Sequence, residues 1–222
     1  MCFSAEASFA GGVIISAIGV ATIREVHKPS QALFAGIPLF FGIQQITEGL
    51  LWVTIPLPDF INIEKISTYL FLSMALVIWP SMIPLSVSMM EEDRKRKKML
   101  RLFIIPGLML SIYYLVCLIL FRVQPQISGY HILYSNDFPR ALSNPAFIIY
   151  LFVTITPLFI SGVKKTWLMG ILMTLSCLVT AIFFTQFLTS VWCFFAALIS
   201  VVVFWILSDS KRTFFLNKIT LH

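Results

Sequence analysis

Charge is scarce in this chain of 222 residues. Asp, Glu, Lys and Arg make up 12% of it, where a soluble domain carries roughly 25%. With 59% hydrophobic residues and a mean hydropathy of +0.92, that scarcity excludes a soluble globular domain and points to an integral membrane protein. Histidine is scarcer still, with three residues. A seven-helix zinc amidase of the ceramidase type needs several on one side, and His131 stands apart from His27 and His222. The four cysteines, Cys2, Cys117, Cys177 and Cys193, form no C-x-x-C pair, so neither a zinc ribbon nor a thioredoxin-type site is indicated. There is no Walker motif, no G-x-G-x-x-G, no H-E-x-x-H and no N-x-[ST] acceptor, so no nucleotide cofactor is expected. The last apolar segment contains no lysine, which excludes a retinal Schiff base. No polar stretch is long enough for a soluble domain, and residues 1–222 read as a single integral membrane domain.

Long apolar runs are abundant. An ~18-residue run can cross a ~30 Å hydrocarbon layer as a helix. Seven spans are expected, at about 3–23, 32–55, 66–90, 102–121, 146–163, 166–187 and 190–208. The expected fold is an all-α seven-transmembrane helix bundle. The last two spans are divided by the polar patch "TQFLTS". A single helix over 166–208 would be about twice a bilayer crossing.

Lysine and arginine distribute unevenly over the connections. Thirteen fall on the side that holds Arg24, Lys28, the run 94–101, Lys164, Lys165 and the C-terminal tail. Three, Lys65, Arg122 and Arg140, fall on the other. The positive-inside rule then places the N-terminus outside and the C-terminus in the cytoplasm. The net charge of +6 is thereby a topology signal and not a sign of nucleic-acid binding. The run 94–101 is expected to anchor at the cytoplasmic face, where it could also meet anionic lipid heads. The first span lacks a basic n-region before its apolar run, so it reads as a retained helix and not a cleaved signal.

Prolines interrupt several spans, at Pro38, Pro80, Pro84, Pro106 and Pro157. In membrane helices they mark kinks that neighbours re-satisfy, and "WPSMIP" is expected to bend span 3. Ser4, Ser8, Gly12 and Ser16 recur every four residues on span 1, a small-residue seam for close helix approach.

The segment "FGIQQITEGLLW" (41–52) places Gln44, Gln45, Thr47 and Glu48 inside an apolar span. Glu48 lies seven residues before the outer end, ~10 Å deep at 1.5 Å per residue. Gln44 and Glu48 are four apart and Gln45 and Glu48 three apart, so they share a helix face, which Trp52 continues. A charged carboxylate facing lipid would be very costly, so Glu48 should face the bundle interior, neutral or paired. Topology brings other reactive groups to the same outer half. These are Cys2, Ser4 and Glu6 on span 1, Trp192 and Cys193 on span 7, and His131 in the connection 122–145. Glu48, Gln44, Gln45, Trp52, Glu6, Ser4 and Trp192 are therefore the candidate ligand-binding residues. Cys2, His131 and Cys193 are the candidate metal ligands, and a Cys2–Cys193 disulfide is an alternative on an oxidising side.

The segments "MCFSAEASF", "FGIQQITEGLLW" and "WCFFAALIS" together resemble an uncharacterised family of bacterial multi-pass membrane proteins. The resemblance implies a bacterial inner-membrane location and no particular activity. Three functions stay open at this stage. One is binding, sensing or transport of a small ligand, ion or proton through an outer-half polar pocket. The second is a membrane-embedded enzyme using Glu, His and Cys, with a transition metal as its cofactor. The third is a scaffold or assembly subunit whose polar residues join helices. The bilayer is the expected partner in each case.

Overall fold

The computed structural model describes residues 4–183 and 195–219. The chain is mostly helical. Helix α1 (Ala5–Arg24) starts at Ser4, whose Oγ accepts the Ala7 N–H at 3.2 Å, a serine N-cap. A 3₁₀ turn at Pro29–Gln31 leads through the short α2 (Ala32–Ala35) into α3 (Ile37–Thr54). The segment Pro58–Met90 then runs as α4 (Ile61–Leu72), a π-helical stretch Ser73–Ile78 and α5 (Trp79–Met90). Helix α6 (Arg94–Leu120), strands β1 (Val123–Ser128) and β2 (His131–Asn136), α7 (Arg140–Ile160), α8 (Thr166–Phe183) and α9 (Ala196–Ile219) follow.

Among the described residues, four helical segments are long and apolar enough to cross a membrane: Ala5–Arg24, Pro58–Met90, Arg94–Leu120 and Arg140–Ile160. Helix α3 is not among them, because Gln44, Gln45 and Glu48 dilute its hydropathy. Several boundaries depart from the expected spans. The basic run is helical from Arg94 onward, capped by Asp93, whose Oδ1 accepts the Arg96 N–H at 2.8 Å. Helix α7 begins at Arg140 and not near residue 146. The expected break between residues 187 and 190 lies outside the described residues.

The connection 122–145, expected as a loop, contains an antiparallel hairpin with Ser128 paired to His131. Its two-residue turn is Gly129–Tyr130, and Gly129 has φ +61°. That is the glycine-first turn whose twist suits a hairpin. Pro125 in β1 is tolerated because the two-stranded sheet leaves β1 an edge. The buried Ile132 joins Leu51, Phe71, Leu72 and Leu118 in a small apolar cluster. Tyr134 stacks on Phe71 with ring centroids 5.1 Å apart. The hairpin thus caps the ends of α3, α4 and α6.

Close helix approach comes from glycines. A Cβ on Gly12 would stand 2.6 Å from Ile46 Cγ1, and one on Gly42 would collide with Ser16, so α1 and α3 touch backbone to backbone along the expected seam. Gly107 in α6 sits directly against the carbonyl of Pro80.

At the opposite end from the hairpin, ion pairs tie the connections together. Lys28 pairs with Glu92 at 2.5 Å, Lys211 with Glu25 at 3.4 Å and Lys165 with Asp209 at 3.3 Å. Lys165 Nζ also lies 3.9 Å over the Trp205 ring. Glu91 is buried there. Its carboxylate accepts the N–H groups of Glu92, Asp93 and Gly162 and the hydroxyl of Ser161, joining the α5–α6 turn to the α7–α8 turn.

Candidate functional site

Beneath the hairpin lies a cavity of about 490 Å³ between α3, α5, α6 and α7. Its position follows from the interrupted helix 58–90. Pro80 and Pro84 each lack an N–H, so regular i to i−4 bonding fails around them, and the preceding turns adopt the wider π form. Carbonyls in that stretch are taken by neighbours. The Tyr150 hydroxyl donates to the Ala75 carbonyl at 2.8 Å, and the Ser111 hydroxyl to the Val77 carbonyl at 2.6 Å. Ala75, Leu76 and Trp79 from this region form one wall. Such π-helical interruptions recur at functional sites.

The floor is aromatic with one amide. Trp79 stacks on Phe41, ring centroids 4.3 Å apart, and its indole N–H donates to Gln44 Oε1 at 3.0 Å. Tyr113, Tyr114 and Tyr150 complete the inner walls. The mouth is polar, with Asn136 from β2 and Arg140, Ser143 and Asn144 from the first turns of α7. Among the described residues that line the cavity, Arg140 is the single charged one.

The residues singled out from the sequence divide around this cavity. Gln44 lines it. Its neighbour Gln45 turns elsewhere and donates to Glu48 Oε2 at 2.9 Å. Gln44, Gln45 and Glu48 are all buried, Glu48 completely. Thr47 donates to the Ile43 carbonyl within its own helix at 2.8 Å. Trp52 is half-buried, and its indole nitrogen is enclosed with no hydrogen-bond partner among the described residues. Glu6 is exposed in the first turn of α1, and Ser4 is spent on capping that helix. His131 is buried in the hairpin, where loss of hydration pushes its imidazole below the ordinary 6.5. Cys2, Trp192 and Cys193 lie outside the described residues. Among the described residues no group of three or more His, Cys, Asp and Glu could hold a metal ion.

Sequence reasoning missed Trp79, Tyr113, Tyr114, Tyr150, Arg140, Ser143 and Asn144 as lining residues. Two signals pointed toward them. "WPSMIP" marks the broken helix, and Ser-Gly-Tyr between two six-residue runs marks a hairpin that would cover the bundle end.

The family model described as "Family of unknown function (DUF6629)" matches residues 1–216, and the chain belongs to that family. No curated protein and no solved structure matches it.

Proposed function

We propose, from the geometry, that this is a single-domain, multi-pass protein of the bacterial inner membrane that binds a small ligand in the cavity under the hairpin, as a sensor or transporter does. The basic end faces the cytoplasm in this reading, and the hairpin faces outward. The observation that carries it is the cavity itself. About 490 Å³ falls within the ~300–1,000 Å³ of typical ligand sites, as does its make-up of aromatic walls with few placed polar groups. The seven-span bundle with an exported N-terminus rests on the lysine and arginine asymmetry and on the four membrane-length helices.

A second reading attaches to Glu48. A fully buried carboxyl beside Gln45 suits a proton or cation carrier, because ionisable groups inside a membrane mark ion pathways. The two readings share α3, whose adjacent glutamines serve the two places.

Native mass spectrometry of the protein released from nanodiscs tests the first reading. The parent should carry a bound small molecule. Ala146→Trp, which fills the cavity from α7, should lose it while keeping a cooperative thermal transition. Should Ala146→Trp fail to fold, Ser143→Trp at the exposed mouth serves instead. A parent that carries nothing, or a filled variant that keeps the same adduct, overturns the reading.

A further inference from the structure

A second cavity of about 230 Å³ lies between α6 and α7. Pro106, Met109, Leu110, Leu142, Pro145 and Ile149 line it. Tyr113 and Ala146 line both this groove and the main cavity, so the two are neighbours across those side chains. Among the described residues lining the groove, Tyr113 is the only one with a polar side chain. Met109, Leu142 and Ile149 are substantially exposed, so the groove opens sideways, where the hydrocarbon of a bilayer would stand.

The mouth of the main cavity has the opposite character. Arg140 enters no ion pair or hydrogen bond among the described residues. Ser143 and Asn144 stand one helical turn further along the same helix and line the same mouth. Pro139 precedes α7 without a side-chain cap, so the helix start adds to the positive field at that point.

On the reading that the cavity is a ligand site, we propose that its ligand is an acidic phospholipid. The phosphate head group sits at Arg140, Ser143 and Asn144, and an acyl chain leaves sideways past Tyr113 and Ala146 into the α6–α7 groove. Arg140 presents a planar fork of donors matched to phosphate oxygens. A zwitterionic or neutral lipid leaves the guanidinium without a net counter-charge. A soluble anion has no use for the apolar groove. One molecule with an acidic head and a hydrocarbon tail satisfies both neighbouring voids.

The test uses the full-length protein in nanodiscs of dioleoylphosphatidylcholine with a minor share of dioleoylphosphatidylglycerol. Lipids that stay bound on release are identified by native mass spectrometry. The parent should retain phosphatidylglycerol several-fold above its share. Arg140→Gln should bring retention down to that share. Lys95→Gln/Lys98→Gln, at the opposite end, should leave the last retained phosphatidylglycerol in place. Met109→Trp, which narrows the groove, should reduce retention of either lipid. Excess inorganic phosphate should not displace the bound lipid. Retention at the bulk share, a preference that survives Arg140→Gln, or displacement by inorganic phosphate overturns the proposal. An uncharged adduct that Ala146→Trp removes would leave the ligand-site reading standing and remove only the acidic head group.

Discussion

Trp79 donates its indole N–H to Gln44 Oε1 over 3.0 Å, thirty-five residues away along the chain. Both side chains are buried, and both line the main cavity. The bond joins α3 to the start of α5, where the Trp79 ring stacks on Phe41 at an interplanar angle of 30°. Gln44→Leu strands a buried donor and should cost roughly 1–3 kcal/mol. Trp79→Phe removes that donor together with part of the ring. The double variant should be less destabilised than the sum of the single ones, because the two residues interact directly. Thermal or denaturant unfolding of the four proteins in one detergent measures this. Strict additivity would show that the contact contributes nothing.

Glu48 separates a structural role from an ionic one. Its Oε2 accepts from Gln45 Nε2 at 2.9 Å and the residue is fully buried. Glu48→Ala removes the buried acceptor of the Gln45 amide and should lower stability by about 1–3 kcal/mol. Glu48→Gln keeps an acceptor for Gln45 and should stay within ~1 kcal/mol of the parent on the same ground. If Glu48 carries a proton or cation, the Gln variant folds normally and loses ion-dependent activity in proteoliposomes. Equal stability together with equal ion-dependent activity in both variants and the parent would refute a site at Glu48.

His131 makes the hairpin sensitive to acid. Burial disfavours its charged form and lowers it from 6.5. The unfolded hairpin takes up a proton near that value, and the folded one only at lower pH. The fold therefore has its full stability above 6.5 and loses it as pH falls from there through the folded value. Amide exchange in residues 131–136, corrected for the intrinsic pH dependence, should show protection falling with acid. The fall should be steeper in the parent than in His131→Gln. Matching slopes would mean that the imidazole is not coupled to folding.

The basic end and the hairpin end should face different compartments. A reporter active in the cytoplasm should work when fused after Lys98, and one active only after export should work when fused after Tyr130. The reverse pattern would invert the topology and put the cavity mouth in the cytoplasm.

Composition alone was enough to reveal apolar helices of membrane length, because hydropathy depends on local sequence and survives without knowledge of neighbours. The small-residue seam of α1 was legible for the same reason, since spacing by four places Gly12 and Ser16 on one face. The polar character of α3 was legible too, because Gln44, Gln45 and Glu48 break an apolar run. Their division was not. Gln44 meets Trp79 from α5 while Gln45 turns to Glu48, and that choice depends on which helix packs against which face. The hairpin was hidden by short strands of mixed polarity, whose pairing is settled by Gly129 and by Ile132 packing on three helix ends. The cavity belongs wholly to tertiary structure. It exists where a proline-broken helix leaves room between α3, α6 and α7, and its lining residues are brought together from five separate stretches of chain.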